Sequence, residues 1–192
     1  MSATRIEIEA LGYVGLEVSD FDAWVAFASG MLGLEASPRD DGTIDLRMDD
    51  YATRVRLIQG PADDLAYAGW EVQDVGALEC LAGRLEAAGV EVEHLGPEVA
   101  KDRRVAELIR FRDPEGAVLE AFYGPLQRTE RPAVSPLGVR FKTGRQGLGH
   151  IVLACKDKAA MMDFYVGLLG FRISDHINTE VVPGKPLNLT FL

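Results

Sequence analysis

Cysteine is almost absent from this sequence. Its two cysteines, Cys80 and Cys155, fall in a helical pattern and an apolar strand pattern, where a free thiol behaves as a small buried hydrophobe. Two thiols so placed form neither a disulfide framework nor a zinc knuckle. Long hydrophobic runs are missing as well: nothing approaches the roughly 18 apolar residues that read as a membrane span. Met1 to Glu9 has no basic flank followed by an apolar stretch, so no secretory leader is read there. Positive charge is in deficit, with 20 Lys and Arg against 30 Asp and Glu, a formal net charge of -10. That balance argues against a phosphate backbone as partner, because nucleic-acid binding draws much of its affinity from clustered cations. The one basic run, Lys101, Arg103, Arg104, Arg110 and Arg112, is interrupted by Asp102, Glu107 and Asp113, and is expected to be a solvated loop. These absences point to a cytoplasmic globular protein with small-molecule or protein partners, no nucleic acid and no membrane.

What is present is an internal repeat, which constrains a fold more firmly than local propensity does. Leu11 to Ser37 aligns without a gap with Leu148 to Ser174, a constant offset of 137 residues with ten of 27 positions identical, Gly12/Gly149, Asp20/Asp157, Phe27/Phe164 and Gly33/Gly170 among them. In the first copy Trp24, Phe27, Ala28, Met31 and Leu32 form one helical stripe, and in the second Met161, Phe164, Tyr165, Leu168 and Leu169 do so. Both stripes are expected to be core. Gly33 and Gly170 stand where a helix end favours positive φ, and an extended run follows each.

Beyond Ser37, alternating apolar residues at Ile44 to Met48 and Val55 to Leu57 complete a strand-helix-strand-strand-strand unit ending at Gly60. A second unit follows: Leu65 to Val72 extended, a helix stripe from Val75 to Ala88, then extended runs at Val90 to His94, Ala106 to Arg112 and Val118 to Tyr123. The tight turn Asp113-Pro114-Glu115-Gly116 joins the last two. Gly124 to Gly144, with Pro125, Pro132 and Pro136, breaks the periodicity. The expected fold class is α+β, built of tandem βαβββ modules. Modules 11–60 and 65–123 make an N-terminal domain (1–123), 124–146 is a linker, and 147–192 is an incomplete C-terminal domain. A module left open in this way exposes an apolar strand edge, which invites self-association.

Paired βαβββ units carrying LGYVGLEVSD (Leu11 to Asp20), DDLAYAGWEV (Asp63 to Val72), FRDPEGAVLEAFYG (Phe111 to Gly124) and GLGHIVL (Gly147 to Leu153) resemble the vicinal oxygen chelate superfamily, the glyoxalase, bleomycin resistance and extradiol dioxygenase fold. The closer resemblance is to its two-domain type I extradiol dioxygenases, of the 2,3-dihydroxybiphenyl 1,2-dioxygenase kind. That resemblance implies a structural N-terminal domain and a C-terminal domain that binds Fe(II) through two histidines and a glutamate. Such a set leaves positions open for a catechol and O₂. It implies an oxidoreductase of aromatic-compound breakdown that uses a small aromatic diol and O₂ and forms homo-oligomers.

The same resemblance gives His150 as the first metal ligand. The other two, counterparts of Tyr67 and Glu120, would fall at positions 204 and 257, beyond Leu192, and no catalytic acid or base is expected within the chain. It gives Val152, two residues along the strand from His150, and Thr179 as substrate-binding positions. The bland reading of His150 is a satisfied core histidine, and that of Val152 is ordinary packing. His94 and His176 are expected on the surface. In the first domain the ligand positions hold Tyr13, Tyr67 and Glu120; a phenol with a pKa near 10 ligates Fe(II) poorly at neutral pH, so Glu120 is expected to make local hydrogen bonds instead. The chain by itself is expected to lack turnover. The alternative is a non-catalytic module of the same superfamily that binds an aromatic ligand or confers resistance, and a third reading is a single-domain enzyme that completes its site by exchanging units between chains.

Overall fold

The computed structural model describes residues 8–130, 138 and 140–192. Residues 1–7 of the expected N-terminal domain and 131–137 and 139 of the expected linker, Pro132 and Pro136 included, lie outside the described residues. The first module runs β1 (Ile8–Val18), α1 (Phe21–Ala26, prolonged by a π-helical turn Phe27–Leu32), β2 (Glu35–Pro38), β3 (Ile44–Arg47) and β4 (Val55–Gln59). The second runs β5 (Asp64–Val72), α2 (Val75–Ala87), β6 (Glu93–His94), α3 (Pro97–Arg103), β7 (Glu107–Arg112) and β8 (Val118–Tyr123). The third comprises α4 (Lys158–Met162, prolonged by a π-helical turn Asp163–Leu168), β9 (Asp175–Val182) and β10 (Lys185–Phe191).

The repeat is legible down to individual hydrogen bonds. Asp20 caps α1 by accepting from the Ala23 amide at 2.9 Å, and its counterpart Asp157 caps α4 by accepting from Ala160 at 3.0 Å. Each satisfies a donor that a helix start leaves orphaned. At the other end Leu34 N–H bonds Ala28 C=O and Phe171 N–H bonds Tyr165 C=O, both at 2.9 Å. Between these bonds the chain turns through Gly33 at φ 79° and Gly170 at φ 82°, a region that costs an L side chain energy and glycine none.

The first two modules share one eight-stranded sheet, ordered β2-β3-β4-β1-β5-β8-β7-β6. β1 and β5 meet antiparallel at its centre, β4 lies parallel to β1, and β8 lies parallel to β5. The modules are therefore related by a pseudo-twofold axis near the Val14/Ala68 pair. The sequence carries the same relation: LGYVGLEV (Leu11 to Val18) against LAYAGWEV (Leu65 to Val72). Tyr13 pairs with Gly69, and Gly15 with Tyr67. Each ring lies over the glycine opposite, since a Cβ at Gly69 would come within 2.3 Å of the Tyr13 ring and one at Gly15 within 2.4 Å of the Tyr67 ring.

Side chains alternate across the sheet with the strand period of two. On the outer face Ala68, Trp70, Ile109, Phe111, Leu119 and Ala121 pack beneath Leu78, Leu81 and Leu85 of α2 and beneath Met161, Phe164, Tyr165 and Leu169 of α4 with its π turn. Farther along, Leu46 and Leu57 pack against Trp24, Val25 and Ala28. On the inner face stand Tyr13, Tyr67, Leu108 and Phe122, with the buried charged residues Asp45, Arg56 and Glu120.

Four expectations are corrected. The basic run is not a loop: Lys101 to Arg103 belong to α3, a seven-residue helix with Pro97 in its first turn, and Arg103 is largely buried. The run Val90 to His94 forms a ladder only at Glu93–His94, which pair with Arg110 and Ile109 of β7. The stripe on α1 fails at three of its five positions, since Phe27, Met31 and Leu32 are 41%, 67% and 42% exposed; the helix turns Trp24, Val25 and Ala28 to the sheet, whereas in the third module Phe164 meets Phe111 of β7 and Arg84 of α2 reaches Leu168 C=O. The opening strand of the third module forms no ladder: residues 149–155 lie outside any strand. Its attachment is the Leu148 amide bonded to Leu11 C=O at 2.9 Å, with Ile151 and Leu153 packed on the first domain's core. Cys155, expected in a buried strand, is consequently exposed, and Cys80 is half-buried.

Gly69→Ala drives a methyl group into the Tyr13 ring, and overpacking of this kind costs about 1–3 kcal/mol. The urea midpoint is expected to fall by a corresponding amount, while Gly83→Ala, with open space around its Cβ, leaves it unchanged or raises it.

Candidate functional site

His150 lies in an extended segment whose residues alternate between the first domain and open space. Ile151 and Leu153 face the core, and His150 and Val152 turn the other way, Val152 being 77% exposed. Both line a cleft of about 1520 Å³ between the third module and the first domain, with Tyr51, Arg54, Trp70 and Glu71 on the facing wall. Thr179 is not among the lining residues. It sits on β9 opposite Leu187 of β10 and is exposed, so the fold brings His150 and Val152 together and leaves Thr179 apart. His94 and His176 are exposed as expected, and the His176 ring lies 3.0 Å from the Thr190 hydroxyl.

The facing wall is fixed by charge. The Tyr51 hydroxyl donates to the Glu71 carboxylate, 2.9 Å from either oxygen, and burial holds the Glu71 carboxyl above the usual carboxylate range. Arg54 spreads over the Tyr51 ring at 3.6 Å, pairs with Asp49 at 2.7 Å and donates to Gly12 C=O at 2.8 Å. Trp70 Nε1 is buried there without a hydrogen-bond partner among the described residues. As a metal centre the cleft supplies one imidazole. Among the described residues no group of three or more His, Cys, Asp or Glu is placed to hold a metal ion. The donors present therefore do not fit Fe(II), which needs a nitrogen and oxygen set around it.

The first domain holds the better-defined constellation. Tyr13, Tyr67 and Glu120 converge on the inner face of the sheet. The Tyr13 hydroxyl donates to Glu120 Oε2 at 2.7 Å, so Glu120 makes the local hydrogen bonds expected of it. Arg103 donates to both oxygens, at 3.0 and 3.2 Å, and lies over the Tyr67 ring at 4.0 Å. Arg110 reaches Oε1 at 2.7 Å. The network runs on through Asp102, which pairs with Arg103 at 2.7 Å, Arg56 at 2.6 Å and Arg39 at 2.5 Å, and through Asp45, which pairs with Arg56 at 2.9 Å.

Burial pushes the Tyr67 phenol up to about 12, against the pull of Arg103 and Arg56, and burial together with Glu120 holds Tyr13 well above the usual phenol value. Burial opposes the Arg103 charge, but Tyr67, Glu120 and Tyr13 around it hold its pKa above the usual arginine value. Sequence reasoning missed Arg103 and Asp102. The available signal was strand alternation at Asp45, Arg47, Arg54 and Arg56, which sets charges on one face of strands whose other face is apolar.

Comparison with known proteins finds relatives over most of the chain. Residues 11–60 match the family model described as Dihydroxybiphenyl dioxygenase BphC D1, and residues 147–191 match the Glyoxalase/Bleomycin resistance protein/Dioxygenase superfamily. The iron-dependent extradiol dioxygenase of Rhodococcus jostii (strain RHA1) is 39% identical over 193 residues, which cover 97% of this chain and 64% of that protein. The biphenyl-2,3-diol 1,2-dioxygenase of Paraburkholderia xenovorans (strain LB400) is 40% identical over 189 residues, covering 97% and 63%. A solved catechol 2,3-dioxygenase superposes with a TM-score of 0.87 at 36% identity, covering 94% of this chain and 61% of that one. The chain thus spans a little under two thirds of the length of the relatives it matches.

Two outcomes are expected of the network. Glu120→Ala leaves Arg103 and Arg110 facing each other without their carboxylate and loses about 3–5 kcal/mol, the cost of breaking one member of a buried ion cluster, as read by chemical denaturation. All five tyrosines have raised pKa values. A raised folded-state phenol contributes stability below the unfolded value near 10, and that stability is lost as pH climbs through the folded value. For Tyr67 the window runs from 10 to about 12. Absorbance at 295 nm is expected to rise together with loss of far-UV dichroism, and Tyr67→Phe shifts that joint transition to higher pH.

Proposed function

The chain belongs to the vicinal oxygen chelate superfamily and is homologous to its type I extradiol dioxygenases over part of their length; from that premise we propose that it contributes the structural domain and the start of the iron-bearing domain to an Fe(II)-dependent dioxygenase that cleaves a catechol such as 2,3-dihydroxybiphenyl with O₂. The observation that carries the reading is the identity of about 40% across 97% of the chain, together with His150 turned into the same cleft as Val152. In this reading His150 supplies one imidazole to the metal and Val152 an apolar contact to the aromatic ring. Thr179 belongs to the pocket only when β9 is carried toward it by further strands. By themselves the 192 residues offer too few donors to retain iron and do not turn over.

Homo-oligomers and a cytoplasmic location belong to the same reading. β9 and β10 pair with one another alone among the described residues and expose Ile177, Val181 and Leu187; a two-stranded ribbon of this kind is marginal in water until something covers it. The two free cysteines suit a reducing compartment. The alternative of a non-catalytic aromatic-binding module draws less support. The cleft, at about 1520 Å³, exceeds the roughly 300–1,000 Å³ of fitted ligand pockets.

The experiment extends the chain. Fusing after Leu192 the part of the Paraburkholderia relative that lies beyond the matched region should give a protein that binds one iron and consumes O₂ with 2,3-dihydroxybiphenyl, and His150→Ala should abolish both. A folded fusion that keeps its iron and its oxygen uptake after His150→Ala would sink the assignment. Stoichiometric iron and ring cleavage by the 192 residues alone would sink the claim that they do not turn over.

A further inference from the structure

The repeat sets Tyr13 where the third module has His150, and the pseudo-twofold sets Tyr67 opposite Tyr13 across the centre of the sheet. Tyr13, Tyr67 and Glu120 of β8 converge on the inner face, and a cation already sits among them. The Arg103 guanidinium forks onto Glu120, 3.0 Å from Oε2 and 3.2 Å from Oε1. Its third nitrogen meets Asp102 at 2.7 Å, and its carbon lies 4.0 Å from the centre of the Tyr67 ring. Glu120 is fully buried, and Arg103 is 13% exposed.

The cation does not come from the sheet. Arg103 is the last residue of α3, a single short helix laid against the inner face by Ala100 and Val99, and the chain leaves it at once through Arg104 in a left-handed conformation, φ 60°. A non-glycine residue held at positive φ is uncommon and costs energy, and here it lets the helix stop with Arg103 pointing at Glu120.

We propose that the interior of the first domain is a binding pocket for a planar guanidinium-type cation, occupied in cis by the Arg103 side chain, which thereby pins α3 to the sheet. The carboxylate fork matches two parallel N–H groups, as guanidinium presents and ammonium does not. The Tyr67 ring offers its negative face to the same plane. Arg110 takes Oε1 from the other side at 2.7 Å, but leaves Oε2 to Tyr13 and Arg103. The pocket selects by shape as well as by charge, which distinguishes it from a surface acidic cluster.

The test empties the pocket and refills it from solution. Arg103→Ala is expected to lower the thermal midpoint, and low-millimolar methylguanidinium is expected to restore most of that loss in a saturable manner. Methylammonium and methylurea at the same concentration should restore none of it, and Arg103→Ala combined with Glu120→Gln should not respond. Where Arg103→Ala fails to fold, methylguanidinium in the refolding buffer should recover soluble, dichroic protein. Absence of recovery in either form overturns the proposal, as does equal recovery by methylammonium or equal recovery in the Glu120→Gln background.

Discussion

Everything in the first domain turns on the need to satisfy Glu120. It is a carboxylate buried to 0% exposure in the middle of an eight-stranded sheet, and an unpaired charge in that position would cost several kcal/mol. Tyr13 and two arginines meet it from three elements: β1 gives the phenol, α3 gives Arg103, and β7 gives Arg110. Arg103 pairs in turn with Asp102, and Asp102 draws in Arg56 and Arg39. The chain of pairs ties both modules into one body, since Arg39, Asp45 and Arg56 belong to the first and Asp102 to Glu120 to the second. An apolar filling of equal volume would hold the sheet as well or better. The ionic one fixes which strand faces inward, because a one-residue slip would bury Arg56 or Glu120 beneath the helices.

The outer face obeys a simpler rule. It is apolar, and it is covered by whichever helix lies above it: α1 and its π turn over the first module, α2 over the second, and α4 over the flank of α2. The third module is attached by this surface. Its helix buries Met161, Phe164, Tyr165 and Leu169 on the first domain, and the Tyr165 hydroxyl donates to Asp113 at 3.1 Å. Among the described residues its strands find nothing comparable, and all of β9 is exposed. The same sequence motif therefore gives a helix packed on the first domain's apolar face and, among the described residues, a cleft lined by His150 beside it.

Much of this was legible in the residues. The offset of 137 between Leu11 and Leu148 predicts equivalent capped helices and equivalent glycine turns, and Asp20, Asp157, Gly33 and Gly170 supply them, because caps and positive φ are local requirements met by local residue types. Alternation at Ile44 to Met48 and at Val55 to Leu57 predicts strands, and β3 and β4 form there; the extradiol resemblance carried by LGYVGLEVSD and FRDPEGAVLEAFYG is the one the relatives bear out. The shorter repeat between Leu11 and Leu65 was equally present but weaker, since only eight residues share it.

What the sequence alone determined, then, is the module, its repetition and its family, all consequences of spacing along the chain. The tertiary structure decided that Lys101 to Arg103 is a helix delivering a buried guanidinium instead of a solvated loop, because the stabilising partner, Glu120, lies 17 residues away from Arg103 and on a different element. It also decided that Phe27 faces water while its repeat mate Phe164 is core, since burial depends on the surface that arrives opposite, and no periodicity within one helix records that surface.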